Sequence, residues 1–241
     1  MFLYKIQKMA NRTILLIGAR TGIGRATCER LLEENANIIV AGRQNDPWFS
    51  ENGIHFVDFD ATSDELPTSD LPDELNGLVY FPGSINLKPL RGLKDDDLLE
   101  DFRLNALGAF KTIKATQSAL KKGSGSIVLF STVAVQQGMP FHTSVAAAKG
   151  AIEGMTRSLA AEFAPSIRVN AIAPSLVDTP LAGQILSNEK RIEASNERHP
   201  LKRVGRPEDL ANMVLYLLSD ASSWVSGQIM SVDGGMSTLR V

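Results

Sequence analysis

Three glycines near the N-terminus have the spacing and the setting to bind an anionic ligand. Gly18, Gly22 and Gly24 follow the apolar run 14–17, which predicts a fully buried strand, and they open the segment 25–33, which predicts a helix. Glycines let the backbone approach a pyrophosphate closely, and a helix N-terminus offers free N–H groups and a positive dipole end. The residues expected on the pyrophosphate side are Gly18, Arg20, Gly22, Ile23 and Gly24. The spacing is Gly-x-x-x-Gly-x-Gly rather than Gly-x-Gly-x-x-Gly, so the alternative of an ordinary glycine-rich connection stays open.

The end of the second predicted strand bears on which dinucleotide would bind. A site for NAD usually has Asp or Glu there, to bond the ribose 2′-hydroxyl. Gly42 and Arg43 stand at that point instead. An arginine suits a 2′-phosphate through charge-assisted hydrogen bonds, and Arg20 would add a second positive group. The pattern favours NADP over NAD, against the alternative that both arginines are solvated surface residues.

Strand-like and helical segments alternate along the chain and must position these residues. The predicted strands are residues 14–17, 37–43, 54–58, 78–81, 126–131, 167–173 and 227–232, and the predicted helices are residues 25–33, 98–121, 146–164 and 207–218. This alternation predicts an α/β fold, a single doubly wound parallel sheet with helices on both faces. We expect one domain over residues 12–241, preceded by an N-terminal arm over residues 1–11.

Several polar residues lie where this arrangement would expose them to a ligand. Asp60 follows the third predicted strand, where it would face an adenine amino group or cap the turn that follows. Asn105 lies inside a predicted helix, although asparagine is a mediocre helix former, and is therefore a candidate for a functional role. The histidines His55, His142 and His199 have no metal-ligand spacing, so we expect no metal site.

The composition excludes several classes of function. The chain has 241 residues, 44% hydrophobic and 22% charged, which suits one α/β domain with a sizeable core. A net charge of -2 argues against nucleic-acid binding, and no apolar run is long enough to span a membrane. Cys28 is the single cysteine, expected in the core; the lack of possible disulfides indicates a cytoplasmic protein.

Together, motifs along the whole chain resemble the short-chain dehydrogenase/reductase family over residues 12–237. These motifs are the segment 18–24, Asn105, Ser131 and Thr132, Lys149, the segment 168–174, Thr179, the segment 207–209 and the segment 232–235. The resemblance implies a Rossmann fold, a nicotinamide dinucleotide, and a homodimer or homotetramer in which residues 98–121 and 146–164 form the contact. It also implies hydride transfer to a small-molecule substrate beneath a roof formed by residues 176–199. The polar composition of this roof predicts a mobile segment.

The resemblance further implies roles for individual residues. Lys149 would hold the nicotinamide ribose, Asn105 would position a water, and Thr132, with Ser131 beside it, would polarise a substrate carbonyl. Further cofactor contacts are implied at Pro174, Val177 and Thr179, the last on the carboxamide.

One position departs from the family's pattern. The family's tyrosine, which exchanges a proton with the substrate, stands four residues before the lysine, and that residue is Val145. One interpretation is an active reductase of carbonyls or activated alkenes with a non-standard proton donor. His142, seven residues before Lys149, is then a candidate donor, because an imidazole changes charge near neutral pH. The alternatives are a catalytically silent NADP-binding sensor and a decayed site that serves as a scaffold.

Overall fold

The computed structural model describes residues 9–240, so residues 1–8 of the expected N-terminal arm lie outside the described part. Seven parallel strands form one sheet in the order β3-β2-β1-β4-β5-β6-β7. The strands are β1 (Thr13–Ile17), β2 (Asn37–Gly42), β3 (His55–Asp58), β4 (Gly77–Tyr80), β5 (Ser126–Phe130), β6 (Arg168–Pro174) and β7 (Ile229–Val232). The strand order reverses beside β1, which has β2 on one side and β4 on the other, so the predicted doubly wound parallel sheet is confirmed.

Helices cover both faces of the sheet. They are α1 (Gly22–Glu33), α2 (Pro47–Glu51), α3 (Asp95–Phe102), α4 (Gly108–Lys122), α5 (Thr143–Phe163), α6 (Glu189–Arg198) and α7 (Pro207–Leu218). Successive side chains of β1 point to opposite faces, so Leu15 and Ile17 join a core with residues of α4 and α5, whereas Ile14 and Leu16 join a core with residues of α1 and α7. The sheet is therefore buried on both sides, as its near-continuous apolar strands require.

The helix predicted over residues 98–121 is interrupted. A π-helical turn over Arg103–Leu107 separates α3 from α4. The Asn105 side chain lies within this turn and donates from Nδ2 to the carbonyl of Asp101 at 2.8 Å. Side-chain bonds of this kind compete with the regular helical pattern, and π turns occur frequently at functional sites.

The roof segment 176–199 contains more regular structure than its polar composition indicates. It includes a short 3-10 turn over Pro180–Ala182 and the helix α6. The side chain of Asn188 caps α6 by accepting a hydrogen bond from the N–H of Arg191 at 3.0 Å. The sequence hides this helix because Ser195 is its one buried residue, so its apolar periodicity is weak.

Cys28 lies on α1 and is fully buried in the core, as expected. Burial raises the pKa of its thiol to about 12, so it behaves as a small apolar core residue. Within residues 9–240, no helix combines the length and the hydrophobicity that crossing a membrane demands. The same residues contain no cluster of histidine, cysteine and acidic side chains that could hold a metal ion.

Candidate functional site

A cavity of about 540 Å³ opens at the carboxyl ends of the strands. Its walls include residues that follow β1, β2, β5 and β6, together with α5 and the roof segment. Ligands of open α/β sheets bind in the crevice outside the carboxyl ends of the strands where the strand order reverses. The cavity volume lies in the range of ordinary ligand sites.

The turn between β1 and α1 requires its glycines. Gly18 and Gly22 have φ angles of +75° and +56°, a region that side chains disfavour. A Cβ on Gly22 would lie 3.0 Å from the Thr179 side chain, and one on Gly24 would lie 2.5 Å from the Cα of Ala19. The glycines therefore fix both the tight turn and the close packing of α1, and all three line the cavity.

The N-terminus of α1 is left open to a ligand. Thr21 occupies the N-cap position but makes no side-chain cap hydrogen bond, and the first turn contains no acidic residue. Thr21 and Ile23 line the cavity with the glycines. Free N–H groups and the positive end of the helix dipole suit a phosphate, so these residues fit the pyrophosphate of a dinucleotide. Arg20 is exposed and lies outside the cavity lining.

Arg43 and Asp60 lie at one end of the cavity, after β2 and β3. The Asp60 carboxylate accepts hydrogen bonds from the side chain and backbone N–H of Thr62, at 2.6 Å and 2.9 Å. These bonds, with a smaller contribution from the charge of Arg43, hold the pKa of Asp60 below its ordinary value. Asp60 therefore caps its turn, the plainer of its two expected roles, while also facing the cavity.

Lys149 lies at the other end of the cavity, on α5, and is almost fully buried. Burial lowers the pKa of its amine to about 8, although the negative charge of Asp101 works in the opposite direction. Nearby, Ser131 donates its hydroxyl hydrogen to Glu153 at 2.9 Å, so that hydroxyl is already engaged. The Thr132 hydroxyl accepts from the N–H of Ala134 at 3.3 Å and keeps its own hydrogen for another acceptor.

A buried carboxylate that sequence reasoning missed lies behind this end. Asp101 on α3 accepts hydrogen bonds from the hydroxyls of Ser84 and Ser144. Asn105 extends the network by donating to Ser84 at 2.9 Å. Asp101 precedes Asn105 by four residues, a spacing that places two helical side chains on one face and was the available signal.

The side-chain oxygen of Asn105 makes no hydrogen bond to any residue from 9 to 240, although the residue is fully buried. A Cβ built on Gly83 would lie 3.3 Å from this oxygen and 3.3 Å from Lys149 Nζ. Both polar atoms therefore flank the same stretch of cavity wall. A buried polar atom left unpaired costs about 1–3 kcal/mol, so this oxygen is suited to a water or a ligand hydroxyl.

Val145 lines the cavity one helical turn before Lys149 and is 6% exposed. Tyr80 instead donates its hydroxyl to the carbonyl of Leu104 at 2.6 Å, and Tyr216 is exposed on α7. Neither belongs to the cavity lining, so no tyrosine among residues 9–240 lines it.

His142 lies at the N-cap position of α5 and lines the cavity. Its Nδ1 is 2.8 Å from the carbonyl oxygen of Pro140. Because a carbonyl only accepts, Nδ1 carries the hydrogen and Nε2 is left for a ligand.

A second histidine faces the cavity from the roof segment, paired with a serine. His199 Nε2 lies 2.9 Å from Ser175 Oγ, and His199 Nδ1 lies 2.7 Å from the carbonyl oxygen of Ser195. All three residues line the cavity. No local sequence pattern indicates this pair, since 24 positions separate the serine from the histidine.

The structure thus brings most of the expected site residues to one cavity. Those that line it are Gly18, Gly22, Ile23, Gly24, Arg43, Asp60, Ser131, Thr132, His142, Lys149, Pro174, Val177 and Thr179. Asn105 lies behind the wall at Gly83, and Arg20 faces solvent.

A doubly wound parallel sheet with a glycine turn and a cavity at its switch point defines the Rossmann-type α/β class. Residues 18–237 match the family model described as Enoyl-(Acyl carrier protein) reductase. A "Tropinone reductase homolog" from Datura stramonium is 34% identical over 243 residues, which are 92% of this chain and 91% of that protein.

Solved structures agree with these sequence matches. A short-chain dehydrogenase/reductase described as glucose/ribitol dehydrogenase from Brucella melitensis has a TM-score of 0.89 and 30% identity, over 96% of this chain and 99% of its own. The structure "ElxO with NADP Bound" has a TM-score of 0.86 and 26% identity, over 95% of this chain and 100% of its own. The chain belongs to the short-chain dehydrogenase/reductase family, whose members are oxidoreductases that use nicotinamide cofactors.

Proposed function

We propose that the protein is an NADP-dependent reductase that delivers a hydride to a carbonyl or activated alkene and uses a non-standard proton donor. The observation that carries this proposal is one cavity in which a glycine turn faces the buried Lys149, with Val145 where the family resemblance expects a phenol. The buried Lys149 and the uncapped N-terminus of α1 favour an active enzyme over a site that has lost its activity.

The residues at the cavity fit the cofactor. The backbone of the glycine turn and the N-terminus of α1 would hold the pyrophosphate, Arg43 the 2′-phosphate, and Asp60 the adenine side. Lys149 would hold the nicotinamide ribose and Thr179 the carboxamide, with Pro174 and Val177 beside the ring. When bound, the reduced nicotinamide supplies a hydride.

NADP is favoured over NAD because Arg43, rather than an acid, follows β2. The NADP named with the ElxO structure is in keeping with this choice. Arg20 is assigned at most a secondary role, because its exposed side chain lies outside the cavity lining.

Two hydroxyls could act on the substrate. Thr132 is the better group to polarise a carbonyl, because its hydrogen is uncommitted, whereas Ser131 donates to Glu153. His142 is a candidate proton donor through its free Nε2. Val145 supports one competing function, an NADP-binding sensor or scaffold without turnover, because a valine cannot transfer a proton.

Fluorescence titration with NADPH and NADH, followed by turnover of ketones and enoyl thioesters, tests the proposal. Arg43→Ala should weaken NADPH binding about 10- to 100-fold, the loss of one charge-assisted contact, and change NADH binding by less than about threefold. Arg20→Ala is the matched control, with a smaller effect. NADPH binding without turnover of any panel member would favour the sensor, and a protein that bound neither coenzyme would refute both functions.

In this proposal the subunits assemble as a homodimer or homotetramer through residues 98–121, which span the end of α3, the π turn and α4, and through residues 146–164 on α5. Large apolar side chains are exposed on α3 and at the start of α4, namely Leu98, Leu99, Phe102, Leu107 and Phe110, which supports a buried contact there. A monomer in sedimentation equilibrium would contradict it. The cytoplasmic location expected from the single cysteine remains a prediction.

A further inference from the structure

The pair formed by Ser175 and His199 has the geometry of a proton relay. Ser175 follows the last residue of β6, and its Oγ lies 2.9 Å from His199 Nε2. The other ring nitrogen is 2.7 Å from the carbonyl oxygen of Ser195, which fixes the hydrogen on Nδ1. His199 is 4% exposed, yet it and Ser175 both line the cavity.

The partner of each serine decides whether its hydroxyl can deliver a proton. Ser131 and Ser144 donate to carboxylates, those of Glu153 and Asp101. A carboxylate in its charged form only accepts, so it cannot restore a proton that either serine gives away. An imidazolium can, because both of its nitrogens carry hydrogens. Ser175 therefore differs from these two serines in having a potential proton source behind it.

We propose that Ser175 donates the proton to the substrate in the reductase reaction and that His199 replaces it, which together do the work of the missing phenol. As the substrate carbon accepts the hydride, the Ser175 O–H bond breaks. The proton of Ser175 forms a new O–H bond with the substrate oxygen. The Nε2–H of the His199 imidazolium then passes to Ser175 Oγ, and the neutral imidazole regains a proton from water. The step rests on the proposed function, because it needs the hydride from NADPH.

The surroundings of His199 suit a transient positive charge. Asp233 follows β7 beside it; burial would raise the pKa of Asp233, but hydrogen bonds from Ser237 and Gly235 and the charge of His199 hold it below its ordinary value. A carboxylate kept ionised in this way stabilises an imidazolium nearby. The other charged residues within four positions of His199 are Arg198, which lines the cavity, Lys202, which bonds to Glu197, and Arg203, which bonds to Asp209.

Steady-state kinetics on the ketone panel, with NADPH affinity measured separately, test the relay. Ser175→Ala should lower kcat by about 10²- to 10⁴-fold, the size of a lost general acid, and leave NADPH affinity within about threefold. Ser175→Thr, which keeps a hydroxyl, should restore part of the rate. The matched control Ser50→Ala removes an exposed hydroxyl on α2 and should change nothing.

The pH profile separates the role of His199 from simple support of the fold. The wild-type rate should fall as rising pH removes the imidazolium that the relay needs, and His199→Gln should remove that fall. A separate fall set by Lys149, whose pKa is about 8, should persist in the variant. His55→Gln, an exposed histidine on β3, is the control.

A readout that needs no turnover is the nitrogen-15 NMR spectrum of the histidine rings, assigned by His199→Gln. At high pH we expect a hydrogen on Nδ1 and a bare Nε2 whose signal moves in Ser175→Ala. A hydrogen on Nε2 there, or full kcat in Ser175→Ala, would overturn the relay while leaving NADPH binding and turnover intact. Wild-type protein that bound NADPH but reduced no panel member would reject the relay and favour the sensor.

Discussion

The two ends of the cavity are built from different parts of the chain's chemistry. At the cofactor end, glycine backbone, two positive φ angles and an uncapped helix N-terminus define the shape. At the end proposed to hold the substrate, buried and half-buried side chains define the shape. Each of Ser131, Lys149, Asp101 and Ser175 interacts there with a residue distant in the chain. The shape of the first end is set by a rigid backbone. The properties of the second end depend on the protonation states of its side chains.

The two ends should therefore respond differently to a change of one side chain. Backbone groups bind phosphate regardless of what a neighbouring side chain does, so we expect the glycine turn to hold a pyrophosphate with a valine at position 145. The proposed reaction needs a proton at this end, and the groups there that could supply it are Lys149, the histidines His142 and His199, and the hydroxyls beside them. Substitutions that affect one end and spare the other measure how separate the two ends are.

The largest expected effect is at the substrate end. Lys149→Met removes the buried ammonium from the cavity. If the reaction proceeds as proposed, kcat/KM should fall by about 10²-fold or more because a charge near the transition state is lost. NADPH affinity should fall by about tenfold or less, since backbone groups hold the pyrophosphate. Turnover of the best ketone and fluorescence titration with NADPH give the two values.

Lys121→Met is the matched control for that experiment, because Lys121 is exposed near the end of α4. It should leave both values unchanged. If Lys149→Met instead abolished NADPH binding in proportion to turnover, the two ends would share one set of contacts and the comparison would fail.

An intermediate effect is expected at the cofactor end. A methyl group in Gly24→Ala would lie 2.5 Å from the Cα of Ala19, so backbone must shift, and we expect the free energy of unfolding to drop by about 1–3 kcal/mol with weaker NADPH binding. Gly154→Ala on α5 is the control, because a Cβ there meets no other atom of the same subunit within 4 Å. Replacing a helical glycine by alanine should raise the free energy of unfolding by about 0.5–1 kcal/mol. Urea denaturation measures the free energy of unfolding of both variants. Equal stability of Gly24→Ala and wild type would show that the turn is not closely packed.

The same difference governs how much the sequence could predict. The sheet and the glycine turn are encoded by neighbouring residues, through apolar runs and glycine spacing, so the fold was predicted with strand bounds correct to within one or two residues. The interrupted helix around Asn105 and the helix α6 were missed, because a π turn and a polar helix carry no apolar periodicity.

Contacts of the substrate end join residues that are distant in the chain. Ser131 and Glu153 are 22 positions apart, Ser144 and Asp101 are 43 apart, and a serine-histidine pair bridges the roof to β6. No local pattern encodes such pairs, so the sequence could assign roles to Lys149 and Thr132 only through family resemblance, whereas Asn105 was also a candidate because it lies inside a predicted helix. Asp101, whose charge acts on the pKa of Lys149, could be recognised as its partner only in the folded structure.

The smallest expected effect concerns the charge that Asp101 places near Lys149. Burial lowers the pKa of Lys149 to about 8, and the negative charge of Asp101 keeps it from falling further. Lys149 is therefore charged below about pH 8 and neutral above it. Removing the charge of Asp101 must lower the pKa of Lys149, so the pH above which the ammonium is lost moves down.

Asp101→Asn tests this with little change of shape. Turnover that depends on the ammonium should drop by about two- to fivefold at pH 8, because fewer lysines stay protonated, yet remain within about twofold at pH 6. Asp95→Asn, an exposed acid in the first turn of α3, changes the net charge equally and should shift nothing. An equal loss of turnover at both pH values would mean that Asp101 acts only through its hydrogen bonds to Ser84 and Ser144. The substrate end would then depend on a fixed shape, as the cofactor end does, and not on charge.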